Sequence, residues 1–128
     1  MAEQWKPEGY SSLSPYLITN KAQEVIDFVR ATLNATPLRR FDNADGTIMH
    51  AELNVDGTVV MLGQAGGQWP AVATHLHVYV PDVDATYQKA LANGGTAVQP
   101  PSRRENDPDK RGGVLDPGGN TWWFSTQQ

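Results

Sequence analysis

The alternation of apolar and polar positions divides the chain into two similar halves. The run from Leu13 to Thr19 reads as a strand, and Pro15 assigns it to a sheet edge or a strand start, because proline cannot donate to a ladder. Asn20 and Gln23 have the spacing of a capping box, and Val25, Ile26, Val29 and Leu33 then recur on one helical face. Asn34 can end that helix in a left-handed turn. Pro37 to Phe41, Thr47 to Asn54 and Thr58 to Leu62 read as strands, with tight turns signalled by Asp45-Gly46 and Asp56-Gly57. The first half is therefore strand, helix and three strands.

A Gly- and Ala-containing connection over 64–74, with Trp69 in it, leads to the same order again. His75 to Val80 is a strand, and Asp82 or Asp84 can cap a helix ending near Asn93-Gly94-Gly95. Thr96 to Gln99 is a short strand, followed by a polar loop from Pro100 to Lys110. Arg111 to Leu115 and Asn120 to Ser125 are strands joined by Asp116-Pro117-Gly118-Gly119. Sliding the second half back by about 62 residues lays Leu115 on Leu53, Gly119 on Gly57 and Trp123 on Met61. A shift of about 61 lays His75 on Ser14 and Val78 on Leu17. That period is too long for a solenoid, and two copies are too few. The pattern predicts one α+β domain over 1–128, made of two βαβββ modules at about 10–63 and 75–126.

Composition removes several function classes. With no cysteine, thiol catalysis, cysteine zinc sites and disulfides are excluded. Ten basic residues against fourteen acidic ones give a net charge of −4, a poor balance for gripping phosphate backbones, so no nucleic-acid partner is expected. No apolar run approaches the roughly 20 residues of a membrane helix, so no membrane partner is expected either. Met1 to Lys6 lacks the apolar stretch of a signal peptide, and the expected location is the cytoplasm.

Two βαβββ modules in a chain of this length resemble the vicinal oxygen chelate superfamily, the glyoxalase/bleomycin-resistance family. The resemblance runs from Tyr10 to Thr126. Its local matches are Ser14-Pro15-Tyr16-Leu17, His50-Ala51-Glu52-Leu53 and Asp116-Pro117-x-Gly119-Asn120-x-Trp122, a combination similar to the PhnB-like branch. The resemblance implies a curved, cupped mixed β-sheet around a ligand pocket, and a homodimer. It also implies four metal-ligand positions, usually two His and two Glu, from the first and fourth strands of each module. Carried over residue by residue, these are Ser14, Met61, His75 and Trp123. Only His75 is a ligand of the expected type; Met61 is a soft thioether and Trp123 offers no usable lone pair. No metal or other cofactor is expected.

The candidate site residues follow from alternation. His75, His77 and Tyr79 share one strand face, opposite Leu76, Val78 and Val80. Trp122 and Trp123 point to opposite faces, and the mapping turns Trp123 inward with Trp122 in the core. Tyr16, Met61, Trp69, His75, His77, Tyr79 and Trp123 are the expected ligand-binding residues, with aromatic area for stacking on planar compounds. His50 and Glu52 either join a nonstandard site with His75 and His77 or face solvent on a half-exposed strand. No Gly-x-Ser-x-Gly elbow is present. Metal-independent binding of a small aromatic or polycyclic compound is the leading function, as in the family's antibiotic-sequestering resistance proteins. The alternative is an enzyme of the same fold, a lyase, isomerase or tailoring enzyme, with His75 or His77 as general base or with a nonstandard metal site. A third possibility is an interaction module whose pocket its own side chains fill.

Overall fold

The computed structural model describes residues 4–128; the reading of the leader at Met1, Ala2 and Glu3 lies outside the described residues. The element order is β1 (Tyr16–Thr19), α1 (Ala22–Leu33), β2 (Thr36–Asp42), β3 (Ile48–Val55) and β4 (Thr58–Gln64), then β5 (His75–Tyr79), α2 (Val83–Ala92), β6 (Thr96–Arg103), β7 (Asp109–Leu115) and β8 (Thr121–Gln127). The βαβββ order thus occurs twice. Each module forms a four-stranded mixed sheet, ordered β1-β4-β3-β2 and β5-β8-β7-β6. The first strand of each runs parallel to the fourth, and the remaining pairs are antiparallel.

Alternation sends one face of each sheet into a shared core. Leu17, Leu53 and Leu62 of the first sheet, Val114, Trp122 and Phe124 of the second, and Val25, Phe28, Val29 and Val83 of the helices belong to one buried cluster. Phe28 of α1 packs on Trp122 of β8 with ring centroids 6.4 Å apart, so the first helix also covers the second module. Trp122 is core, as the family mapping of Trp123 to the opposite face implies. The opposite faces of the sheets carry the polar and aromatic residues.

The strand register sharpens the repeat. Tyr16 pairs with Met61 and Met61 with Glu52; His77 pairs with Trp123 and Trp123 with Gly113. Met61 and Trp123 are therefore equivalent, as the sequence shift predicts. Leu115 is not equivalent to Leu53, because the β3–β4 and β7–β8 registers match Val114 with Leu53 and Leu115 with Asn54. The longer turn after β7 takes up the extra residue, and Gly57 and Gly119 both keep positive φ, 91° and 93°.

Several local expectations change. The capping box at Asn20 and Gln23 does not form: α1 starts at Ala22 with Lys21 as N-cap and no side-chain cap. Gln64 of the neighbouring β4 accepts from the Ala22 N–H instead, and Thr19 accepts from Lys21. A tertiary partner thus supplies what the local motif offered. Asn34 does end the helix in the left-handed region, and Asp82 caps α2 by accepting from Ala85. The second helix is followed by a longer strand than predicted, since β6 continues through Pro100 and Pro101 to Arg103. As the outermost strand, β6 can lose N–H donors without breaking the sheet. β7 likewise begins earlier, at Asp109. Among the described residues no helix is long and apolar enough to cross a membrane.

Candidate functional site

The outer face of the first sheet is hollow. A cavity of about 1020 Å³ opens against it, bordered by Tyr16 and Ile18 of β1, Met49 and His50 of β3, Gly63 of β4 and Trp69 of the connection. Its rim carries Asn43, Asp45 and Thr47. Three of the wall residues are large and substantially exposed: Trp69 at 60 %, Met49 at 54 % and Tyr16 at 47 %. Met49 reaches the cavity through a bulge. Phe41 pairs with His50 and Asp42 with Ile48, so Met49 is left unpaired, and an unpaired residue re-aims its side chain. Gly63 leaves room there, since a Cβ on it would lie 2.7 Å from the Met49 carbonyl oxygen and 3.4 Å from the Tyr16 hydroxyl.

A chain of polar groups runs into this cavity from the sheet. Glu52, only 4 % exposed, accepts a hydrogen bond from the Tyr10 hydroxyl and lies 2.8 Å from His50 Nε2. His50 Nδ1 lies 3.0 Å from the Tyr16 hydroxyl. Burial pushes the Glu52 carboxyl up, but the hydrogen bonds from Tyr10 and His50, with the charge of His50, outweigh it and hold the group below its ordinary value. Burial, and then the Glu52 charge, push the Tyr16 phenol up. Glu52 is therefore an anion at neutral pH and Tyr16 a protonated phenol. The solvent-facing reading of Glu52 is overturned, and within one chain this pair stands on a different sheet from His75 and His77.

The second sheet presents a more fully paired face. His75 and His77 are exposed, with Tyr79 61 % exposed beside them. The Trp123 indole N–H donates to His75 Nδ1 at 3.1 Å, and the two rings stack with centroids 6.3 Å apart. His77 Nε2 lies 2.9 Å from the Ser125 hydroxyl, which also accepts from Arg111 Nε. The Tyr79 hydroxyl donates to Asp109, and Arg111 bridges Asp107 and Asp109. A groove of about 400 Å³ runs between this strand and the β3–β4 hairpin, bordered by His75, His77 and Tyr79.

Of the seven expected binding residues, Tyr16 and Trp69 border the large cavity. Met61 lies on the same sheet beside Tyr16 and Glu52, partly buried. His75, His77, Tyr79 and Trp123 share the face of the second sheet. Met49, Gly63 and Tyr10 escaped the sequence reading. The bulge that exposes Met49 depends on cross-strand register, and Tyr10 meets Glu52 across 42 residues of chain. Only the alternation of His50 and Glu52 hinted at the polar chain.

The four positions that the family resemblance assigns to metal ligands do not fit an ion here. Ser14 and Met61 lie on the first module, Trp123 holds His75 through its indole, and among the described residues no three His, Asp or Glu side chains converge. The histidine and carboxylate that do meet, His50 and Glu52, bind each other and two tyrosines.

The arrangement has many relatives. The crystal structure of TioX from Micromonospora sp. ML1 superposes with a TM-score of 0.76 at 25 % identity, over 92 % of this chain and 99 % of that one. A glyoxalase-related enzyme from Fulvimarina pelagi gives a TM-score of 0.70 at 18 % identity, over 91 % and 88 %. An uncharacterized protein of Mycobacterium bovis is 34 % identical over 122 residues, covering 87 % of this chain and 80 % of its own. The family model of the Glyoxalase/Bleomycin resistance protein/Dioxygenase superfamily matches residues 12–124, and the chain belongs to that superfamily.

Proposed function

We propose that the protein binds a planar aromatic or polycyclic organic compound, without a metal ion, against the outer face of the first sheet. The observation that carries this reading is the cavity of about 1020 Å³ with Trp69, Met49 and Tyr16 open on its walls. Small-molecule sites span roughly 300–1,000 Å³ and combine apolar walls with a few placed polar groups. Leaving three large apolar side chains in water is unfavourable, and a stacked ligand would recover that area. Met49 brings a polarizable side chain that adapts to a ring edge. Sequestration of an antibiotic is one use of such a site.

The reading includes a homodimer. The cavity is open, and the second sheet offers a face of His75, His77, Tyr79 and Trp123 that a partner's cavity could receive. In that arrangement all seven expected residues contribute to one pocket, with Met61 behind Tyr16. Sedimentation at micromolar concentration is expected to give twice the chain mass of 14.0 kDa. Titration with planar aromatic compounds should quench tryptophan fluorescence through Trp69, equally with and without a chelator. A requirement for one divalent ion per chain, or turnover lost on His75→Ala or His77→Ala with ligand affinity intact, would replace this reading by the enzymatic one.

A further inference from the structure

We infer that Tyr16, His50 and Glu52 form a proton relay that recognises an acidic hydroxyl, phenolic or enolic, on the aromatic ligand; this rests on the reading of the first-sheet cavity as an aromatic site. The relay is continuous: Tyr16 hydroxyl to His50 Nδ1 at 3.0 Å, His50 Nε2 to Glu52 at 2.8 Å, and Tyr10 closing the far side of the carboxylate. Glu52 is buried while Tyr16 and His50 border the cavity, so the chain runs from a fixed anion to a group that a ligand can touch.

The proton positions follow from donor and acceptor arithmetic. An ionised carboxylate only accepts, so His50 Nε2 carries a proton towards Glu52. Nδ1 then has two states. In the neutral ring its lone pair accepts the Tyr16 O–H, and the Tyr16 oxygen is free to accept from a ligand hydroxyl. When the ligand proton passes to the Tyr16 oxygen, the proton of Tyr16 passes to Nδ1. The number of protons is unchanged: the ligand becomes an oxyanion accepting from Tyr16, and His50 becomes an imidazolium held by Glu52. A charge-assisted hydrogen bond replaces a neutral one, and such bonds are roughly twice as strong.

The surroundings favour this transfer. From β2, Phe41 presents a neutral ring 6.2 Å from that of His50, and the Arg39 guanidinium lies over the Tyr10 ring. Arg40 is engaged by Asp42 and Gln23. From β4 come Met61, opposite Glu52, and Gly63, beside the Tyr16 hydroxyl. From the turn before β3, Asp45 reaches the rim, its carboxylate already accepting from Thr47. Glu52 is thus the anion that directly compensates a charged His50. Tyr16, held as a phenol, passes a proton without remaining ionised itself.

Two dyes separate the possibilities: anthraquinone sulfonate, and its dihydroxy derivative alizarin red S, whose colour reports ionisation of its hydroxyl. Both are titrated into the full chain with chelator present. The hydroxylated dye is expected to bind about tenfold more tightly than the parent. Its bound spectrum should be that of the ionised form about one pH unit below where the free dye ionises. Tyr16→Phe, a change at a half-exposed ring, should collapse the affinity ratio between the dyes. His50→Gln, which keeps hydrogen-bonding capacity but cannot hold the proton, should abolish the spectral shift. Equal binding of both dyes, or a shift that survives His50→Gln, overturns the relay while leaving the aromatic site standing. Failure of both dyes to bind overturns the aromatic site itself.

Discussion

At matching register positions the outer faces carry Tyr16, Met61 and Glu52 on the first sheet and His77, Trp123 and Gly113 on the second. Glu52 is buried under Tyr10 and His50 and supports a hollow. At the equivalent place Gly113 has no side chain, and the Trp123 indole lies so close that a Cβ there would come within 2.5 Å of the ring. One module places a carboxylate in its sheet and leaves a cavity above it. The other places an indole over a glycine and presents a face whose polar groups pair with one another. Two copies of one strand order thus hold different chemistry, because the pattern specifies which face a residue occupies and leaves its size and charge free.

The hairpin turns differ in the same way, and the largest expected effect tests them. In the second module Asp116, 3 % exposed, accepts from the N–H groups of Gly118 and Asn120, the Asn120 amide and the Trp122 indole. In the first, Asn54 accepts from the Gly57 N–H alone. Asp116→Ala is expected to cost at least about 3 kcal/mol, since several buried donors lose their acceptor, against about 1 kcal/mol for Asn54→Ala. Denaturant unfolding checks both values. Similar losses at the two turns would mean that the Asp116 network contributes little.

Next in size is the contrast between the sheet faces in ligand binding. Trp69→Ala is expected to weaken an aromatic ligand by about 1–3 kcal/mol, the scale of a lost aromatic contact. His75→Ala is expected to weaken it by about 1 kcal/mol or less, as loss of one neutral hydrogen-bonding group. Fluorescence titration of each variant measures this, and a larger loss at His75 would transfer the site to the second sheet.

The smallest effect is a pH dependence specific to the first sheet. The folded-state value of Glu52 is depressed, so its contribution is present above the unfolded carboxylate range and is lost as pH falls through the lower folded value. From about pH 5 downwards, wild-type stability should fall more steeply than that of Glu52→Gln, whose amide does not titrate. Thermal unfolding across that range reads the difference, and parallel curves would place no proton linkage at Glu52.

Much of the architecture was legible in the residues. Period-two alternation marked β3, β5 and β8, helical spacing marked α1, and the repeated order marked the duplication. It also put His75, His77 and Tyr79 on one face and Trp122 and Trp123 on opposite ones. The helix start was misread because Asn20 and Gln23 satisfy a local rule that Gln64 overrides from the next strand. The site was legible only in part. Tyr16 and Trp69 stood out as aromatics, while Glu52 looked like a solvent-side charge until Tyr10 covered it.

The sequence by itself determined the secondary-structure order, the module repeat and the faces of the strands. All of these depend on residue type and on spacing along the chain, which periodicity preserves. Tertiary structure alone decided the Met49 bulge, the room left by Gly63, the equivalence of Glu52 with Gly113 and the meeting of Tyr10 with Glu52. These depend on which residue lies across a strand or beneath a segment distant in sequence. Register and packing set those neighbours, and only the folded chain brings them together.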